Sequence, residues 1–309
     1  MSKYSPEFLT KMKREPMSLN YILQAIKDRG ILEAQVVKCD SNNTLTLNLG
    51  NNITGIIELD ELEYNYDGRK TKAVSAISKI NKHIKFIPLS VEKQEDKSYI
   101  VKCSRKEAQK ECFDNFIKKL TPGDIIDSYI IKVMKYGIFC DIGCGIVALL
   151  PTNNISVTHI VDADKTIWFN HRLKVVVEEI TEDYKIQLTH KELLGTWEEE
   201  ASKFNEDDVV RGTVLSIEDY GVFIRISQNL SGLAEIPSYS IEVGDTVSVR
   251  IVGIKPESMK IKMLIIEKLE SVHNSKPEYM RFEYKIKSGH IKDWVYSTPT
   301  AKKQIESHF

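Results

Sequence analysis

The residues best suited to chemistry in this chain are aromatic, and they occur twice at one spacing. Tyr136-Gly137-Ile138-Phe139 and Tyr220-Gly221-Val222-Phe223 stand 84 residues apart, each opening a run in which apolar residues alternate. Successive side chains of a strand face opposite sides. Ile138, Cys140 and Ile142 therefore share one face, as do Val222, Ile224 and Ile226, and these faces read as core. Phe139 and Asp141, and likewise Phe223 and Arg225, are expected to point outward. An outward phenylalanine is costly unless something covers it. Tyr136 and Tyr220, each beside a glycine that lets the strand coil, can reach the same face. Two rings about one base-spacing apart suit the stacking of unpaired nucleic-acid bases, which contributes roughly 1–3 kcal/mol per base and tolerates any sequence. The competing reading is that neighbouring domains or helices cover these rings; their duplication beside a tyrosine and a glycine favours stacking.

Other chemistry has little support. Five cysteines include no Cys-x-x-Cys pair. Cys140 and Cys144, four apart, read as a core thiol and a turn thiol, because no His or Cys cluster completes a metal-ligand set. The free thiols point to a reducing compartment. Among seven histidines, including His159, His171 and His190, none has metal-ligand spacing or neighbours a Ser or Cys in a nucleophile motif. No Gly-rich phosphate loop follows a strand. His190-Lys191-Glu192 reads as the start of a linker helix. We therefore expect no enzyme activity, no metal and no cofactor.

The elements that must position the rings follow from an internal repeat. DIIDSYIIKVMKYGIFCDI (124–142) aligns without gaps on DVVRGTVLSIEDYGVFIRI (208–226), and Ala148-Leu149 and Gly232-Leu233 keep the offset. Later runs, 173–180 with 185–189 and 246–254 with 260–266, complete about five short strands per copy. Turn residues fall at the breaks, and a loop of variable length precedes the fourth strand. Five short antiparallel strands in this arrangement describe an OB-type barrel. A fainter copy lies upstream: 34–40, the alternating Leu45, Leu47 and Leu49, then 83–89 and 98–104, with Gly50–Gly55 matching Ser227–Gly232. Helical stretches intervene, 105–120 with an apolar stripe of Phe113, Phe116, Ile117 and Leu120, and 191–204 with Leu194, Trp197, Ala201 and Phe204. An N-terminal helix, about 18–29, is expected to stop at Gly30 in the left-handed conformation. The tail from Ser271 has strand-like fragments at 281–286 and 294–296. The expected fold is mainly β: three tandem five-stranded OB-type barrels joined by short helices, with a small C-terminal extension. The expected boundaries are 1–30 helical segment, 31–104 degenerate repeat, 105–120 linker, 121–190 repeat, 191–206 linker, 207–268 repeat and 269–309 extension.

A chain of 309 residues suits two to four such domains. Apolar residues at 42% and charged residues at 28% fit a folded protein. Lys+Arg 43 against Asp+Glu 44 leaves a net charge of −1, which excludes nucleic-acid binding by bulk positive charge. Any such binding must come from local groups. No signal-peptide-like apolar stretch opens the chain and no apolar run is long enough to span a membrane, so a cytoplasmic location and no membrane partner are expected.

Tyr-Gly-Val-Phe followed by Asn-Leu-Ser-Gly-Leu, and Val-Gly-Asp-Thr-Val-Ser-Val-Arg-Ile before a final strand, resemble the RNA-binding repeat of the bacterial ribosomal protein S1 family. The resemblance is close in the middle and third repeats and weak in the first. It implies RNA on the face carrying the aromatic pairs, Tyr136 with Phe139 and Tyr220 with Phe223. The family's arginine position is matched in charge by Lys185 and Lys260. Its histidine position holds Pro151 and Glu235, and its aspartate position Thr181 and Lys255. The first repeat has Asn43 and Thr46 at the aromatic positions and so lacks a platform, which suits docking on a protein. Glu235 would oppose phosphate, offset by Arg225, Arg250, Lys255, Lys260 and Lys262; Lys132, Lys135, Arg172, Lys174 and Lys185 serve the middle repeat. The resemblance implies single-stranded RNA or mRNA as partner, with the 30S ribosomal subunit or another protein reached through the first repeat, and a role supporting translation. The alternative is a protein-docking scaffold or an accessory subunit of an RNA-processing complex, which near-neutral charge favours and the duplicated aromatic pair disfavours.

Overall fold

The structure is a computed structural model and describes residues 3–7, 16–66, 68–163, 172–270 and 282–309. Three closed five-stranded barrels form from β1(Leu32–Cys39), β2(Leu45–Gly50), β3(Ile53–Ile57), β4(His83–Lys93) and β5(Tyr99–Ser104); from β6(Ile125–Met134), β7(Gly137–Gly143), β8(Ile146–Pro151), β9(Arg172–Ile180) and β10(Ile186–Thr189); and from β11(Val209–Glu218), β12(Gly221–Ser227), β13(Leu230–Ala234), β14(Thr246–Lys255) and β15(Lys260–Glu270). Each runs first-second-third-fifth-fourth strand around the barrel, closed by a parallel pairing of third and fifth strands such as Leu233 with Lys262.

The first strand makes closure possible. β11 pairs with β14 through Val209–Thr213 and with β12 through Thr213–Glu218, and its register shifts between Val214 and Ser216. β1 does the same, with its shift between Val36 and Lys38. Such a bulge bends and twists the strand, so one strand serves both sides of a small barrel. The alternating residues face inward as expected: Ile138, Cys140 and Ile142 are buried, as are Val222 and Ile224, while Ile226 is only partly buried against the core.

The chain divides into two compact units, one of residues 1–120 with 141–147 and one of 121–140 with 148–309. In the first, α1(Leu19–Lys27) is capped by the Ser18 hydroxyl, which accepts from Tyr21 N at 3.2 Å. Its end corrects the expectation at Gly30. Arg29 takes the left-handed φ of 50°, and Gly30 N donates to Ala25 O at 2.7 Å, so the glycine lies one residue beyond the left-handed position of this terminal motif. α2(Arg105–Asn115) covers less than the expected helix, and a tight turn at Ile117–Lys119 completes the apolar stripe. Arg105 is fully enclosed and forks onto Glu7, Nε to Oε1 at 2.8 Å and Nη2 to Oε2 at 2.9 Å, with Nη1 donating to Leu62 O at 3.2 Å. Asp141, expected outward, is 2% exposed: it accepts from Glu7 N at 2.6 Å, Gly143 N at 2.8 Å and Gly145 N at 3.0 Å. Burial and then the Glu7 carboxylate raise its pKa, and these N–H donors partly oppose that.

In the second unit the expected helix over 191–204 is a single turn at Lys191–Leu193 followed by a short helix, Trp197–Ala201, whose start is fixed by reciprocal bonds between Thr196 and Glu199. The C-terminal extension is not strand over 282–286, and Arg281 lies outside the described residues; Trp294 falls in β16(Asp293–Val295), paired with β17(Glu306–His308). Ile291, Trp294 and Tyr296 join the apolar core of the third barrel. Asn229, in the β12–β13 turn, explains the placement. It is fully buried; its Oδ1 accepts from Ser156 Oγ and Val157 N, both at 2.9 Å, its Nδ2 donates to Lys191 O and Gly195 O, and its carbonyl accepts from Tyr296 Oη at 2.7 Å. One turn residue thus joins the middle barrel's loop, the linker and the extension.

His190 is buried beside it, with Nδ1 2.9 Å from Ile155 O and the rings of Phe282 and Tyr284 at 4.5 and 5.7 Å. Burial holds its pKa down to about 4, against 6.5 in the open chain. The unfolded chain therefore takes the proton first as pH falls, so this contribution is intact above 6.5 and is lost progressively toward 4. Between pH 7 and pH 4 the wild type should lose about 3 kcal/mol more stability than His190→Phe, measured by urea unfolding at each pH; parallel losses would show that the imidazole does not titrate with unfolding.

Candidate nucleic-acid interface

The two aromatic pairs sit at equivalent places on the middle and third barrels, both in the second compact unit. β6 ends at Met134 and β7 begins at Gly137, and β11 ends at Glu218 and β12 begins at Gly221. Tyr136 and Tyr220 are therefore the second residues of two-residue hairpin loops, which hold their rings away from the barrel: they are 55% and 70% exposed. Phe139 and Phe223, two residues into the next strand, are half-buried. The glycine between them is required by close approach. A Cβ on Gly137 would lie 2.6 Å from Leu150 O, and one on Gly221 would lie 2.7 Å from Ala234 O.

The ring geometry is the same in both copies. Centroids are 6.2 Å apart, with interplanar angles of 90° for Tyr136–Phe139 and 89° for Tyr220–Phe223. This corrects the expectation of two rings one base-spacing apart. The pair meets edge to face, a favoured aromatic arrangement, and presents two faces at right angles. Bases engaging both rings must be splayed from one another rather than continuously stacked.

The register brings a cation to the third barrel's rings. Phe223 is opposite Leu233, Leu233 is beside Lys262, and Lys262 is opposite Gly253. Residues of one cross-strand row share a face, so Lys262 belongs with Phe223. Lys262 Nζ lies 3.6 Å from Glu235 Oε1 at the edge of this row. Lys255 and Lys260 are exposed and directly opposite each other, flanking the Pro256–Ser258 turn. Lys185 occupies the matching turn of the middle barrel, exposed, with Nζ 3.2 Å from Asp183 Oδ2. Both turns contain a left-handed residue, Tyr184 at φ 52° and Met259 at φ 50°.

Arg225 departs from the expected open position. Alternation puts it on the Phe223 side, in a row with Ser231, but it is only 8% exposed and burial pulls its guanidinium down to about 10. It is thus removed from the exposed cations. Of the middle barrel's basic residues, Lys174 is engaged with Asp127 Oδ1 at 2.7 Å. The Lys262–Glu235 pair is the feature the motif did not reveal; the signal for it was the strand register. In the first barrel Asn43 lies in the β1–β2 turn at φ 62° and Thr46 is half-buried on β2. Cys140 and Cys144 are buried and joined in no disulfide. Among the described residues there is no cluster of metal-ligating side chains, and no helix is long and apolar enough to cross a membrane.

A family model described as the S1 RNA binding domain matches residues 119–191 and 203–265, the two barrels that carry the aromatic pairs. The small ribosomal subunit protein bS1 of Staphylococcus epidermidis is 30% identical over 197 residues, covering 58% of this chain and 50% of that protein. That of a Staphylococcus aureus strain is 28% identical over 195 residues with the same coverage. The chain thus spans about half the length of the curated relatives it matches. A solved multidomain protein with nucleic acid binding domains from Streptococcus pneumoniae aligns over 77% of this chain and 73% of its own at 10% identity, with a TM-score of 0.26, too low to relate the two arrangements.

Proposed function

We propose, from the match of the middle and third barrels to the S1 RNA-binding domain family, that the chain is a non-enzymatic, cytoplasmic protein whose middle and third barrels bind single-stranded RNA. Unpaired bases stack on Tyr136 with Phe139 and on Tyr220 with Phe223, while Lys185, Lys255, Lys260 and Lys262 meet neighbouring phosphates. The observation that carries this reading is the repeated ring pair, exposed at its tyrosine and identical in spacing and angle in both copies. Two modest platforms on one chain act together, because binding at the first raises the effective concentration at the second. The relatives' names support a place at the small ribosomal subunit, and on this reading the RNA is mRNA and the role is in translation. The first barrel, without the ring pair, is assigned to contacts other than base stacking, with a protein surface as its partner.

Arg225 has no part in the open face, so cationic contact is limited to a few lysines. The full-length chain should bind a labelled unstructured RNA of about 20 nucleotides in preference to a duplex of equal length. The slope of log affinity against log salt should be shallow, about −1.5 to −3, as two to four neutralised phosphates require at roughly −0.7 each. Fluorescence anisotropy over a salt series measures both. Equal binding of duplex, or a steep slope, would assign the affinity to charge and overturn the stacking reading.

A further inference from the structure

The two platforms match in ring geometry and differ at one edge. In the middle barrel Pro151 faces the bare glycine, its Cα 3.1 Å from where a Gly137 Cβ would stand. In the third, the register of Val222 with Ala234 and Phe223 with Leu233 puts Glu235 across from Gly221. Gly221 has no side chain, and the Leu233 side chain lies over it, its Cδ1 2.9 Å from where a Gly221 Cβ would stand, which leaves Glu235 at the outer edge of the ring pair. The Glu235 side chain is 78% exposed, and its ion pair with Lys262, itself 67% exposed, spans 3.6 Å. Exposed pairs of this kind have small net worth, so a ligand can take the carboxylate over.

A base stacked on either ring can turn an edge toward that carboxylate, and the four bases differ in what they offer. Single-stranded bases are read on their Watson–Crick edges. Guanine presents two adjacent donors there, N1–H and the N2 amino group, matching the two carboxylate oxygens. Adenine and cytosine present one amino donor beside an acceptor ring nitrogen. Uracil presents one N–H between two carbonyl acceptors, which a carboxylate repels. We propose that Glu235 makes the third barrel's platform selective for guanine, whereas the middle barrel, with Pro151 in that place, is indifferent to base. This rests on the RNA-stacking reading above and adds a specificity residue to it.

The test uses the full-length chain carrying Phe139→Ala, so that the third platform dominates, with three labelled RNAs of about 12 nucleotides: uridine alone, uridine with isolated guanosines, and the same with inosine for guanosine. Inosine lacks the N2 amino group and keeps N1–H. The expected order is guanosine, then inosine, then uridine, with guanosine over uridine by roughly five- to tenfold, the low end for a bidentate base contact because the site is exposed. Glu235→Gln and Glu235→Pro should compress the series to under about twofold while uridine RNA stays bound. A guanosine preference that persists in Glu235→Gln, or its absence with Glu235 intact, overturns the assignment while leaving stacking in place. Failure of all three RNAs to bind, in the unsubstituted chain as well, overturns the stacking reading and the selectivity with it.

Discussion

Replacing Phe139 and Phe223 together by alanine should lower affinity for single-stranded RNA by about a hundredfold or more, with the fold intact. Each ring removed forfeits roughly 1–3 kcal/mol of base stacking, and losing both also removes the gain from tethering two sites. Each single variant should fall by a smaller factor, because the other platform still holds the RNA. The rings are half-buried on the outer side of their strands, so truncation leaves no core cavity, and an unchanged urea midpoint is the control. Unchanged affinity in the double variant would move the binding surface elsewhere.

The largest effect on stability is expected at Arg105. Arg105→Ala would leave the Glu7 carboxylate buried with, among the described residues, the Lys85 N–H donating to it at 3.0 Å and Lys79 acting on it through charge. Removing one partner of a buried pair costs about 3–5 kcal/mol, because the surviving charge is uncompensated. Replacing both by apolar residues, Glu7→Leu with Arg105→Met, should recover most of that loss for the same reason. Chemical unfolding of the wild type, Glu7→Leu, Arg105→Met and the double variant forms a double-mutant cycle; equal destabilisation by Arg105→Met and by the double change would show that Arg105 acts through packing rather than charge.

The sequence made the barrels legible because each strand alternates with period two and the middle and third copies align without gaps. The ring pairs were legible for the same reason. Alternation, however, assigns a face and not what covers it. Asp141 and Arg225 fall on the outward side of their strands, yet the first is enclosed by Glu7 and the β7–β8 turn, and the second is buried. The perpendicular ring angle depends on how a two-residue loop projects its tyrosine, which spacing does not encode. The extension was illegible because its strands are three residues long and gain their place only from long-range contacts, such as Tyr296 with Asn229. The Glu235–Lys262 pair required the parallel register of β13 with β15, which no local pattern carries.

Photocrosslinking a short RNA containing 4-thiouridine to the full-length chain, followed by mass spectrometry of the linked peptides, examines base contact without any substitution. Linked nucleotides should fall on the segments containing Tyr136–Phe139 and Tyr220–Phe223. Crosslinks confined to the first barrel, or spread over lysines remote from both ring pairs, would contradict base stacking as the way this protein holds RNA.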